Sequence, residues 1–371
     1  MVITLENNIS YKSAGVDIDA ADAMKKQIAA DVSSKGLAHC APLNRLGAFA
    51  SLVELDLKSY TNPVFVLKSE EPGSKQLLSF DNDRIEWIAC DLINHLVNDI
   101  IVMGVNPCAV LDTIICGKLE SGIILRLIKE MSKACEDNGC ILVGGETSEQ
   151  PGVLPAGRYI LQASVLGIVD KSRIIDGARI KSGDALLALA SNGLHTNGYS
   201  LVRKIIETKP AILDEKIGDI DFIDALLTPH MSYAAAIKDL IANRFDDIHG
   251  MAHITGGGMR DNLKRILNNG DLYAEIDLSA VRAPRIFSVV KKYADVGDGD
   301  MLRTFNNGVG MILVAEQAKA REITDTLRAG GIDAYKIGRI GACADKNAAA
   351  GALAGDVLFQ NAIKWENEAV N

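Results

Sequence analysis

None of the seven cysteines (40, 90, 108, 116, 135, 140 and 343) pairs with another as C-x-x-C. An odd count at such spacings supports neither a zinc knuckle nor a disulfide framework, and free thiols in a reducing cytoplasm are expected. No apolar run approaches the length of a membrane span. The start, MVITLENNISYK, lacks both a basic segment and an apolar core, so no secretory leader is expected there. Basic residues are scattered through a chain of net charge −9. That argues against nucleic acid or an anionic membrane surface as partner. G-x-S-x-G, H-E-x-x-H, G-x-G-x-x-G and G-x-x-x-x-G-K-[ST] are all missing, which disfavours serine hydrolases, zinc proteases, dinucleotide binding and the common NTPase loop.

What is present is a soluble globular composition, 48% hydrophobic and 23% charged over 371 residues. That length suits two α/β domains better than one. Apolar periodicity predicts helices over 20–32, 84–103 and 121–137, and strands at 64–68, 109–115, CILVGGE and RYILQASVLGIV. A charged, turn-rich stretch at 170–182 marks a break. A second series follows: the strand DALLALA, a helix from YSLVRKIIE, and a strand–loop–helix through TGGG. NNGVGMILVA is a loop into a strand, AKAREITDTLRAGG a helix and AYKIGRI a strand. The expected architecture is α/β (α+β), with domains at 1–172 and 173–345. Residues 346–371 are expected as a loosely held tail whose Trp365 docks on the body.

Several stretches can carry chemistry. VFVLKSEEPGSKQLL (64–78) runs from a strand through a glycine turn to Ser74 and Lys75, as phosphate-cradling loops do. Glu70 and Glu71 in the same turn would repel phosphate unless a metal ion mediates. In the 84–103 helix, Asp91, His95 and Asn98 share one face, flanked by Asn94 and Asp99. A solvent face is usually rich in Lys and Glu, and this one has neither, so a functional face with a metal-binding carboxylate is expected. Asp112, flanked by apolar residues, needs a partner or a ligand; a salt bridge to Lys118 serves equally on spacing alone. GGETSEQPG (144–152) offers close backbone approach at Gly144 and Gly145, then Glu146, Thr147 and Ser148. His195 lies between two Asn-Gly pairs in SNGLHTNGYS, placed to meet an anion, although a lone histidine is more often structural. HITGGGMRDN sets Gly256, Gly257 and Gly258 between a strand and a helix, where bare N–H groups can bind an anion. FNNGVGM (305–311) is a second glycine turn, adequately explained as a sharp bend.

These pieces, in this order, resemble the aminoimidazole ribonucleotide synthetase family, the phosphoribosylformylglycinamidine cyclo-ligases of purine biosynthesis. The resemblance runs from Tyr11 to about Gly341. It rests on YKSAGVDIDAADA, LGAFASL, DLINHLVNDIIVMGVNP, GGETSEQPG, KSRIIDGARIKSGD, LASNGLHTNGYSLVRKII, HGMAHITGGG and RTFNNGVGM. It implies a cytoplasmic homodimer whose N-terminal sheets pair, with ATP near that interface and Mg²⁺ offsetting its charge. It implies ATP-dependent ring closure of a phosphoribosyl amidine. The formyl amide oxygen is phosphorylated, the amidine nitrogen attacks, and phosphate leaves.

The resemblance also implies site residues. Gly73, Ser74 and Lys75 match a phosphate loop. Asp91, Asn98 and Asp99 match an acidic helix, Asp112 a strand aspartate, and Gly144, Gly145, Glu146 and Thr147 an acidic turn. Together these are nucleotide candidates, with Glu70, Asp91, Asp112 and Glu146 as metal candidates. His195, Asn197, His253 and Gly256–Gly258 match loops assigned to substrate phosphate and to activation of the reacting groups, with His195, His253 and Lys75 as catalytic candidates. The departure is Glu70-Glu71-Pro72-Gly73-Ser74-Lys75, where the family has Asp-Gly-Val-Gly-Thr-Lys; His95 also stands at a usually apolar position. The alternatives are a divergent paralogue that phosphorylates another amide or acid, and a degenerate ATP-binding subunit without catalysis.

Overall fold

The computed structural model describes residues 18–31, 36–45, 47–267, 270–345, 349 and 351–365. The resemblance motif that begins at Tyr11 lies outside them up to residue 17, as does the last stretch of the tail.

The N-terminal sheet has four strands, β1 (Pro63–Glu70), β2 (Asn106–Cys116), β3 (Ile141–Glu149) and β4 (Tyr159–Asp170), in the order β1-β4-β2-β3. β2 and β3 are parallel; the other pairings are antiparallel. Side chains alternate across a strand. Val110, Ile114, Leu161, Ala163 and Val165 therefore point to one face and are buried. Two helices cover that face, α1 (Ile85–Ile101) and α2 (Ser121–Asp137). The opposite face leaves Phe65, Leu67 and Leu111 exposed.

The C-terminal sheet holds β5 (Ala185–Ala190), β6 (Ile248–His253), β7 (Leu272–Asp277), β8 (Val309–Ala315), β9 (Ala334–Ala342) and β10 (Val357–Gln360), in the order β6-β8-β5-β9-β7-β10. Its central strands are apolar on both faces, as a doubly covered sheet requires. Leu187, Leu189, Met311 and Leu313 face the core shared with α1. Leu186, Ala188, Ile312 and Val314 face a second core. The first core runs unbroken from the N-terminal sheet through α1 to the C-terminal sheet, so α1 lies between them. Three further helices matter for the site: α3 (Tyr199–Thr208), α4 (Ala234–Arg244) and α5 (Gly258–Lys264).

The mixed α/β class agrees with the sequence reading, and α2 spans the predicted residues. Over its described residues the tail is held more firmly than expected, and the docking expected of Trp365 is seen. β10 extends the sheet parallel to β7. Trp365 is 4% exposed, and its Nε1 donates to Asp298 Oδ1 at 3.0 Å. The Ala- and Gly-rich stretch before it carries no period, which hid the short β-prone Val-Leu-Phe run that follows. Among the described residues all seven cysteines are free, and no helix is long and apolar enough to cross a membrane.

Candidate active site

A polar cleft forms where β1 ends against α1 and the C-terminal loops. Alternation along β1 puts Lys68 and Glu70 on one side. Lys68 Nζ lies 3.0 Å from Glu70 Oε2 and 3.0 Å from Asp99 Oδ2. Asp99 Oδ1 accepts from His253 Nδ1 at 2.7 Å, at the end of β6. Burial alone would raise the Asp99 carboxyl, but the His253 hydrogen bond and the charges of His253, His95 and Lys68 hold it well below the usual range. An ionised carboxylate only accepts, so His253 Nδ1 carries the proton and Nε2 is left as an acceptor, 3.0 Å from His230 Nε2. These carboxylates in turn hold the Lys68 ammonium above its ordinary value despite partial burial. His95 Nε2 stands 3.8 Å from Glu70, and its Nδ1 is 2.9 Å from Thr196 Oγ1. Glu71, the departure from the family loop, is solvent-exposed; its N–H donates to Glu70 Oε1 at 3.0 Å.

The loop after β5 brings in His195, Thr196 and Asn197. His195 takes φ +60, a left-handed conformation rare for a residue with a side chain. Asn197 Oδ1 lies against Gly256, and Ser74 Oγ is 3.4 Å from Ser200 Oγ. Gly257 and Gly258 also have positive φ; a Cβ on Gly258 would sit 1.9 Å from Leu302 O. Asn262 Nδ2 ties the triple-glycine loop together by donating to Gly258 O at 2.9 Å and Gly256 O at 3.2 Å. The loop shape therefore depends on Asn262, four residues past the last glycine.

Asp112, Gly144, Gly145 and Glu146 line a neighbouring cleft of about 820 Å³ on the open face of the N-terminal sheet, with Phe49, Ser51, Lys68, Gln162 and Ser164. Thr147 follows in β3, opposite Ile114 of β2. Burial pushes the Asp112 carboxyl up to about 7, and the Glu146 charge adds to it. Lys68 also borders this cleft along β1, while its ammonium turns to the α1 side.

Lys75 does not lie in either. It opens a short helix, Lys75–Asp81, and both it and Asp91 have fully buried side chains. Nζ sits 2.8 Å from Asp91 and donates to Thr228 O at 2.9 Å; the His230 N–H donates to Asp91 Oδ1 at 2.7 Å. Burial moves Asp91 up to about 6 and Lys75 down, while the attraction between the two opposes both shifts. The rest of the α1 stripe also binds protein. Asn94 donates to His230 O, Asn98 donates to Met231 O, and the Tyr233 N–H donates to Asn98 Oδ1. A polar face without Lys or Glu is here a docking face for backbone 230–233.

The structure thus gathers Glu70, Asp99, His195, His253, Asn197 and the glycine loop in one place, Asp112 and Glu146 in an adjoining one, and Lys75, Asp91 and Asn98 in the core behind. The four expected metal carboxylates do not meet as one cluster among the described residues. Sequence reasoning missed Lys68, Thr196 and His230. Lys68 was reachable by counting two back from Glu70 in a strand. His230 had no local signal; only the fold brings it to the other histidines.

Two family models match the chain. The AIR synthase related protein N-terminal domain matches residues 64–169, and the C-terminal domain matches 181–349. The chain is 41% identical over 335 residues to a phosphoribosylformylglycinamidine cyclo-ligase of Paraburkholderia phymatum, covering 90% of this chain and 92% of that one. The protein of the same name from Chromobacterium violaceum is 40% identical, with 90% and 95% covered. In fold, the chain is similar to hydrogenase maturation protein HypE in complex with ATP (TM-score 0.61, 20% identity, 84% and 85% covered). It is equally similar to thiamine-monophosphate kinase from Stenotrophomonas maltophilia (TM-score 0.61, 15% identity, 94% and 96% covered).

Proposed function

Since the chain belongs to the AIR synthase related family, we propose that it is an ATP-dependent cyclo-ligase of purine biosynthesis that closes formylglycinamidine ribonucleotide to aminoimidazole ribonucleotide. The observation that carries this is identity of about 40% to proteins of that name along nine-tenths of the chain. ATP phosphorylates the formyl amide oxygen, the amidine nitrogen attacks the activated carbon, and the C–O bond breaks to release phosphate.

The two clefts divide the work. Residues 1–172 bind the nucleotide, and residues 173–345 bind the substrate phosphate through Gly256–Gly258 and Asn197. Lys68 stands between the clefts and pairs with the transferring phosphoryl group, the role that sequence matching assigns to Lys75. His253 is oriented by Asp99, and its acceptor Nε2, 3.0 Å from His230 Nε2, takes the amidine proton once that contact opens to substrate. Glu146, a hard oxygen donor on the open face, suits a Mg²⁺ ion, whereas Asp112 shares the face of Val110 and Ile114 and turns its buried carboxyl to the α2 side. Only glycine fits at 145, where a Cβ would meet Asp112 Oδ1 at 2.1 Å. When bound, Mg²⁺ neutralises the nucleotide phosphates. The exposed Phe65, Leu67 and Leu111 on the open sheet face support a homodimer that pairs the two N-terminal sheets.

Incubation of the purified protein with formylglycinamidine ribonucleotide and Mg-ATP tests this. Equal amounts of aminoimidazole product, ADP and phosphate are expected. ATP binding without turnover, beside an active reference enzyme, would instead favour the paralogue reading.

A further inference from the structure

Four of the six histidines of this chain converge from four segments. His95 comes from α1, His195 from the loop after β5, His230 from the segment before α4, and His253 from the end of β6. His195, His230 and His253 are at most 5% exposed. The His195 and His230 rings stack with centroids 3.9 Å apart, and His230 Nε2 faces His253 Nε2 at 3.0 Å. Each of the three offers a nitrogen within 4.8 Å of the other two.

Two features of this cluster are costly for an ordinary core. Neither ring nitrogen of His195 has a hydrogen-bond partner, although both are buried. An unpaired buried polar group is destabilising. The same residue has left-handed backbone, which is strained for any residue with a side chain. Room for it is made by Gly310, where a Cβ would lie 2.9 Å from His195 Cε1 and 1.9 Å from Tyr233 Oη. Imidazole stacked on imidazole gives no reason for either cost. A cation bound among the rings does, because it pairs with the free nitrogen.

We propose that His195, His230 and His253 form a binding site for a divalent transition-metal ion of the Zn²⁺ class. Three nitrogen donors select Zn²⁺, Co²⁺ or Ni²⁺ over Mg²⁺ and Ca²⁺. Tetrahedral bonds of about 2.0–2.1 Å place ligand nitrogens roughly 3.3 Å apart, so loading requires the His195 ring to rotate out of its stack on His230 until its free nitrogen turns to the ion. The Asp99–His253 hydrogen bond is the carboxylate support that metal-bound histidines usually have; it fixes the tautomer that turns Nε2 inward. Burial keeps His195 and His230 in the neutral, ligating form. This site is distinct from Glu146, whose oxygen donors suit Mg²⁺. A metal on His253 Nε2 would exclude that atom from proton transfer, so loading the site should inhibit turnover.

The test is titration of chelator-treated full-length protein with Co²⁺. One equivalent per chain is expected to bind with the intense visible absorption of tetrahedral nitrogen-ligated cobalt, displaced by Zn²⁺. His230→Thr should weaken binding by roughly tenfold or more, the scale at which even outer-shell partners act. His39→Ala, outside the cluster, should bind as wild type. Should His230→Thr not fold, X-ray absorption of the cobalt-loaded wild type decides: three imidazoles support the site, and an all-oxygen shell overturns it. Absence of stoichiometric binding, or unchanged binding in folded His230→Thr, also overturns it. The cobalt spectrum does not depend on turnover, so its failure leaves the cyclo-ligase reading standing.

Discussion

At Lys75 and Asp91 a charge pair is sealed from water, and its loss is a matter of stability first. Removing one partner leaves the other charge buried and uncompensated, at about 3–5 kcal/mol. Lys75→Ala is therefore expected to unfold at markedly lower urea concentration, whereas Lys75→Met/Asp91→Leu recovers much of the loss. Lys68→Ala should behave oppositely. Its side chain is partly exposed, so stability changes little, while ATP affinity by calorimetry falls tenfold or more through loss of a charge-assisted phosphate contact worth about 1.5–3 kcal/mol. The histidines give a pH dependence. Burial, then the charge of His253, lowers His95 to about 4, against the opposing pull of Asp99 and Glu70; Lys68 lowers it further. A histidine whose folded pKa is depressed binds its proton more readily when unfolded. Stability is thus full above the unfolded value near 6.5 and falls as pH drops from there to about 4, by up to about 1.4 kcal/mol per pH unit for this one group. Urea midpoints of chelator-treated protein between pH 7.5 and 5 should show that slope, reduced in His95→Gln.

At the scale of elements, β10 is the piece that composition concealed. Stopping the chain after Gly355 removes buried Val357, Ile363 and Trp365 and bares the β7 edge. Burial of such side chains contributes roughly 1.5–3 kcal/mol each. A loss on the order of 5 kcal/mol and a tendency to aggregate are expected, read by denaturant unfolding and light scattering. Long periodic elements were legible: α1, α2 and the strands of both sheets other than β7 and β10 stand within a few residues of their predicted places because their apolar spacing is strong. The meaning of the α1 polar stripe was only half legible. Sequence periodicity says that Asp91, Asn94 and Asn98 share a face, but not that the face meets backbone 230–233, more than a hundred residues away. Motif order likewise did not reveal that the fold seals Lys75 against Asp91. The placement of His253 beside the glycine loop was legible because strand, glycines and helix are contiguous. His230 was missed because its neighbours come from other segments.

For the whole molecule, α1 is buried between the two sheets, and the candidate site lies where α1, the end of β1 and the C-terminal loops meet. Ring closure needs nucleotide and substrate side by side, and a cleft with Lys68 at the centre and carboxylates and histidines on either side supplies that arrangement. The most direct measurement follows one atom. With ¹⁸O in the formyl amide oxygen of formylglycinamidine ribonucleotide, activation by phosphorylation carries the label into inorganic phosphate as the imidazole forms. One ¹⁸O per phosphate released, in step with product, is the predicted result. Phosphate released with only unlabelled oxygen, or label left in water, would contradict the proposed chemistry.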